Sequence, residues 1–116
     1  MDINSLIGSE HPQRPTEYYT KLFGRPELDE GGYVGWRIGN GAVTVGPHDQ
    51  VKGKSTEPGR VIWNIQTPDV RGQFEKLKAA GAIVVREPYQ PGGAPADGAR
   101  EMLIATLADP DNNYFS

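Results

Sequence analysis

The sequence predicts an α+β domain of two βαβββ modules, and three observations carry that prediction. Strand-like and helix-like segments follow one another in the same order twice, with a period of roughly 55 residues, an internal duplication rather than a short-repeat solenoid. Each helix-like segment is punctuated: Pro15 and Gly24 bound the first, Thr67-Pro68-Asp69 and Gly81 the second. Fifteen glycines and 10 prolines in 116 residues, with 36% hydrophobic content, suit strands joined by many turns better than a helical bundle. A chain of this length makes one domain with its own core, small enough to lean on a partner subunit.

In the first module, Asp2 to Gly8 reads as a strand, with Ile3 and Ile7 on a face buried against a helix and Asn4, Leu6 and Gly8 on the other. From Pro15 to Phe23, Tyr18, Tyr19, Leu22 and Phe23 recur at helical spacing, and Gly24 stops the helix. A short strand is expected near Glu27 to Glu30. Tyr33 to Ile38 then alternates, and Gly39-Asn40-Gly41 makes a hairpin loop before Ala42 to Gly46. Val34, Trp36, Ile38, Val43 and Val45 share the apolar face, while Tyr33, Gly35, Arg37 and Thr44 point the other way. The run from Pro47 to Gly59 is polar and rich in breakers. It places module one at about 1–50, a linker at about 51–59 and module two at about 60–116.

The second module opens with a strand from Arg60 to Gln66, in which Val61, Trp63 and Ile65 oppose Ile62, Asn64 and Gln66. Asp69 caps a helix carrying Val70, Phe74 and Leu77 on one stripe. Ala82 to Arg86 is the next strand, Glu87 to Ala99 a long loop, and Arg100 to Leu107 the strand before a closing hairpin. In that hairpin Asp109-Pro110-Asp111-Asn112 has the chemistry of a tight turn: Pro110 presets φ, the Asp side chains accept backbone N–H groups, and Asn112 and Asn113 tolerate positive φ.

Charge and composition exclude several function classes. A net charge of −3 with no basic stripe offers no footprint for nucleic acid. No apolar run spans a bilayer, and Met1-Asp2-Ile3-Asn4 lacks the regions of a signal peptide, so a cytoplasmic protein without a membrane partner is expected. With no cysteine there is no disulfide, thiolate metal site or thiol nucleophile. Gly31-Gly32 and Gly92-Gly93 do not run from a strand into a helix as phosphate cradles do, and Ser5, Ser9 and Ser116 lack the histidine and carboxylate of a nucleophile. Glu10, Glu87, Asp97 and Glu101 read as solvated loop charges.

Three features together resemble the vicinal oxygen chelate superfamily of glyoxalase, bleomycin-resistance and extradiol-dioxygenase-like proteins. Asp109-Pro110-Asp111-Asn112-Asn113-Tyr114-Phe115 is similar to its signature before the last strand, with Asn112 where glycine is usual. Tyr18-Tyr19 followed by Leu22-Phe23-Gly24 matches the end of its first helix, and two βαβββ modules match its fold over essentially the whole chain. The resemblance implies curved mixed sheets that form an open cup holding a ligand, and a homodimer. In metal-using members His and Glu from the first and last strands of each module bind a divalent ion; the matching positions here are Asn4, Thr44, Ile62 and Ser116. None is His, Asp or Glu, and His11 and His48 stand in or beside loops without a second ligand at metal spacing.

Neither a metal nor another cofactor is therefore expected, and whether the chain is an enzyme stays open. Strand parity puts Asn4, Leu6, Arg37, Thr44, Ile62, Asn64, Gln66 and Tyr114 on the cup face, a mixture suited to a small organic ligand held by hydrogen bonds and stacking. The expectation is a metal-independent small-molecule-binding protein of the glyoxalase/bleomycin-resistance type, with Glu87 to Ala99 as a lid. The alternatives are a superfamily isomerase, lyase or dioxygenase using a divalent metal with atypical ligands, and a module whose cup serves protein contacts.

Overall fold

The first strand, β1 (Asn4–Ser9), lies parallel to β4 (Gly41–Pro47), although a helix and two strands separate them in the chain. That crossover organises the first of two units, Met1–Lys54 and Ser55–Ser116, in a computed structural model that describes residues 3–92 and 102–116. The first unit holds α1 (Gln13–Phe23), β2 (Leu28–Glu30) and β3 (Tyr33–Ile38), and its sheet has the order β1-β4-β3-β2. Two-residue turns set the antiparallel registers. Gly31-Gly32, both at positive φ, pair Glu30 with Tyr33, and Gly39-Asn40 pairs Ile38 with Gly41.

One face of this sheet is closed by α1. Pro15 sits in the first turn, where its missing N–H leaves no bond unmade, and Gly24 at φ 84° ends the helix with its N–H on the Thr20 carbonyl at 2.8 Å. Tyr19 and Phe23, one helical turn apart, stack at 5.8 Å and meet Trp36 of β3 at 6.2 and 6.0 Å. The Trp36 indole N–H donates to the Gly24 carbonyl at 2.8 Å, so the residue that stops the helix also anchors it to the sheet. Ile7, Val43 and Val45 complete this core, as parity predicts. Ile3 does not: it precedes β1 and is 82% exposed, because no paired strand holds it against the core.

The second unit contains α2 (Val70–Ala79), β5 (Ile83–Tyr89), β6 (Ile104–Ala108) and β7 (Tyr114–Phe115), with sheet order β5-β6-β7. Asp69 caps α2 through its carboxylate, which accepts from the Gly72 N–H at 3.0 Å; a side chain at position 72 would run into that carboxylate. Phe74 is the buried residue of α2, and Ala105, Leu107, Ala108 and Phe115 form the core around it. β5 runs three residues past the expected end at Arg86. Pro88 is tolerated because β5 is an edge strand, where one missing N–H interrupts no ladder.

The predicted strand from Arg60 to Gln66 is not formed. In its place Trp63 makes a single parallel bridge to Phe115, with the Ser116 N–H on the Trp63 carbonyl and the Ile65 N–H on the Ser116 carbonyl. β7 offers only two residues as a partner, so the ladder stops there, and Val61 is 78% exposed. The closing turn is built as its chemistry predicts. The Asn112 N–H donates to the Asp109 carbonyl at 2.9 Å, and Asn112, at φ 62°, is the one non-glycine at positive φ among the described residues. Buried Asp109 accepts from the N–H groups of Asp111 and Asn113, both at 2.9 Å, and from the Asn113 amide at 3.0 Å. Asp111 and Asn112 in turn clasp Ser55 by backbone and side-chain bonds of 2.7 and 3.0 Å.

The fold is α+β, with two helices and seven strands in one mixed and one antiparallel sheet among the described residues. Counting the Trp63 bridge, both units place their opening segment beside and parallel to their last strand. Asp2, Asp97, Arg100, Glu101 and positions 93–99 of the expected lid lie outside the described residues.

Candidate functional site

The face of the first sheet turned away from α1 is laid out by register. Asn4, Ala42 and Arg37 form one row across β1, β4 and β3, and Leu6, Thr44, Gly35 and Leu28 form the next. Along each strand two residues separate the rows, about 7 Å. A concavity of about 410 Å³ opens on these rows, lined by Asn4, Glu27, Leu28, Arg37, Asn40 and Thr44, with Gly35 in the floor. A side chain at Gly35 would press on the Thr44 hydroxyl at 3.0 Å and on Leu28 at 3.4 Å, so the missing Cβ keeps the floor low.

Of the eight residues expected on the cup face, Asn4, Arg37 and Thr44 line this concavity. Leu6 is on the same face, 58% exposed, outside the lining. Ile62, Asn64, Gln66 and Tyr114 belong to the second unit. There Ile62, Asn64 and Gln66 are exposed beside the lone Trp63 bridge, and Tyr114 is half-buried opposite Ala108. Sequence reasoning missed Glu27, Leu28 and Asn40. The signal was the Gly31-Gly32 pair: read as a two-residue turn, it sets Leu28 opposite Gly35, and the Glu27 N–H donates to the Gly35 carbonyl at 3.0 Å.

Glu27 closes the site's edge. Its carboxylate accepts from the backbone N–H of Arg37 at 2.7 Å, where β2 no longer supplies a partner. The Arg37 guanidinium, by contrast, makes no ion pair or hydrogen bond among the described residues, and nor do the side chains of Asn4, Asn40 and Thr44. A cation, two amides and a hydroxyl thus face one opening without partners among the described residues.

A second concavity, of about 530 Å³, lies in the same unit, lined by Ser9, Glu10, Tyr33, Pro47, His48, Asp49 and Lys52. Its polar groups are spent on holding the loop after β4. Glu10 accepts from the Gly53 N–H at 3.1 Å and faces Lys52 at 3.9 Å, and His48 Nδ1 accepts from the Gln50 N–H at 3.2 Å.

The residues at the four family metal positions do not fit a divalent ion. Asn4 and Thr44 offer neutral oxygens in the first unit. In the second, Ile62 has no donor, and the Ser116 hydroxyl shares a hydrogen bond with that of Thr106 at 3.1 Å. Among the described residues no group of three or more His, Asp or Glu converges, and Glu27, the one carboxylate that lines the concavity with Asn4 and Thr44, is engaged by the Arg37 backbone N–H.

A mixed sheet of order β1-β4-β3-β2 under one helix, echoed by a second helix-and-sheet unit, defines the class of fold. The sequence matches the glyoxalase-like domain over residues 5–116, and the chain belongs to that family, within the vicinal oxygen chelate superfamily. Among solved structures it is similar to TioX from Micromonospora sp. ML1, at 17% identity and TM-score 0.71, covering 99% of this chain and 94% of that one. A glyoxalase/bleomycin resistance protein/dioxygenase family enzyme from Burkholderia phytofirmans PsJN matches at 19% identity and TM-score 0.70, covering 99% and 95%. A mutant glyoxalase I from Zea mays matches at 23% identity and TM-score 0.65, over 98% of this chain and 42% of its own. At these identities the likeness shows the fold alone. No curated protein matches the sequence.

Proposed function

We propose that this protein binds a small organic molecule on the open face of its first unit and does so without a metal ion. The observation that carries this reading is the concavity lined by Asn4, Arg37, Asn40 and Thr44, whose polar groups have no partner among the described residues. A surface that evolves only to be solvated has no need of a glycine-lowered floor beside such groups, whereas a ligand site combines relief, apolar lining and a few convergent polar atoms. Metal-using members of the superfamily bind their ion at positions where the donors here are neutral or absent. The reading extends to a homodimer, as the resemblance implies, and to a cytoplasmic location. Neither helix among the described residues is long and apolar enough to cross a membrane.

A thermal-shift screen of small aromatic and carbonyl compounds tests the binding. Ligands that raise the melting temperature of the wild type are expected to lose that effect in Arg37→Ala and Asn4→Ala. A stoichiometric divalent metal in the purified protein would overturn the metal-independent reading in favour of an enzyme with atypical ligands. Light scattering that gives 12.7 kDa rather than twice that mass would remove the dimer.

A further inference from the structure

The chemistry of the concavity narrows its ligand further than "small organic molecule", an inference that rests on the reading of this face as a ligand site. Arg37 presents a guanidinium with no partner among the described residues, a planar fork of donors that matches an oxyanion in a bidentate pair. Asn4, two strands away across Ala42, and Asn40, in the turn after β3, add amide donors to the same lining. Glu27 lines the same opening, so a multiply charged phosphate would meet one cation and one carboxylate. A monoanion is the better match. The next row is different in kind: Gly35 bears no side chain, Leu28 is 41% exposed beside it, and Thr44 flanks it with a hydroxyl. The step from Arg37 to Gly35, about 7 Å along the strand, is the length of a carboxylate joined to one ring.

We propose that the ligand is a flat, apolar-bodied monocarboxylic acid, its carboxylate on the Arg37 guanidinium and its ring over Gly35 between Leu28 and Thr44. The recognition is by charge and flatness together. The neutral amide of the same acid keeps the shape and loses the ion pair.

Calorimetric titration of the full chain with matched pairs tests this: benzoate and benzamide, phenylacetate and phenylacetamide, indole-3-acetate and indole-3-acetamide. At least one acid is expected to bind about tenfold or more tighter than its amide, the scale of a charge-assisted hydrogen-bonded contact. Arg37→Ala is expected to bring that pair within about twofold, and Arg37→Lys to keep part of the preference, because a point charge remains without the fork. Circular dichroism of both variants establishes that they are folded. Equal binding of acid and amide, lost in Gly35→Val, would overturn the carboxylate assignment and leave the site standing. Binding of neither member of any pair, with other compounds bound and displaced by Gly35→Val, would overturn it too. Binding untouched by Arg37→Ala and Gly35→Val alike would overturn both the assignment and the site.

Discussion

In the first unit the opening strand β1 is paired with β4 over all six of its residues, whereas in the second the corresponding segment meets β7 through Trp63 alone. Propensity runs the other way. Arg60 to Gln66 contains Val61, Ile62, Trp63 and Ile65, while Asn4 to Ser9 has Ile7 as its one β-branched residue. The better strand former is the one without a strand. What decides is the partner: β4 presents seven residues and β7 two, and a backbone with nothing to pair with gains no ladder bonds from its side chains. Asn4, Arg37 and Thr44 are accordingly held in register by three adjacent strands, while Ile62, Asn64 and Gln66 stand beside a single bridge.

The cores differ as well, and substitutions that break one unit at a time sharpen the contrast. Trp36 is 2% exposed, packs on Tyr19 and Phe23, and bonds Gly24. Trp36→Ala is expected to destabilise the protein by about 4 kcal/mol in urea unfolding, the cost of a large cavity where helix and sheet meet. The second unit leans on polar satisfaction instead. Asp109→Ala strands the donors of Asp111 and Asn113 and is expected to cost about 3 kcal/mol, with Asp109→Asn recovering part because an amide oxygen still accepts. If Asp109→Ala proved neutral, the closing turn would be a passive connection. The smallest effect is at the helix starts. Asp69→Ala is expected to cost about 1 kcal/mol by urea unfolding, because α2 has a side-chain cap, whereas α1 begins at Pro12 with none to lose.

How much of this was legible depended on whether the decisive contact was local. Helix ends at Gly24 and Asp69 and the turn at Asp109 to Asn112 are short-range chemistry, and they fall where their residues predict. The parity of Asn4, Arg37 and Thr44 was also readable, since alternation within a regular strand needs no knowledge of its neighbours. The failures at Ile3 and the Arg60 to Gln66 segment share one cause: each depends on a partner strand that pattern alone does not measure. Leu28 and Glu27 entered the site through an edge strand of three residues, too short to announce a period.

The proposed ligand site lies wholly on the first unit's sheet face. The most direct test is an amide chemical-shift titration of the ¹⁵N-labelled protein with a compound that the thermal screen selects. Saturable shifts are expected to cluster at Asn4, Leu28, Gly35, Arg37, Asn40 and Thr44 and to disappear in Gly35→Val. Shifts that cluster instead at Asn64, Gln66 and Tyr114, with the first unit silent, would contradict it.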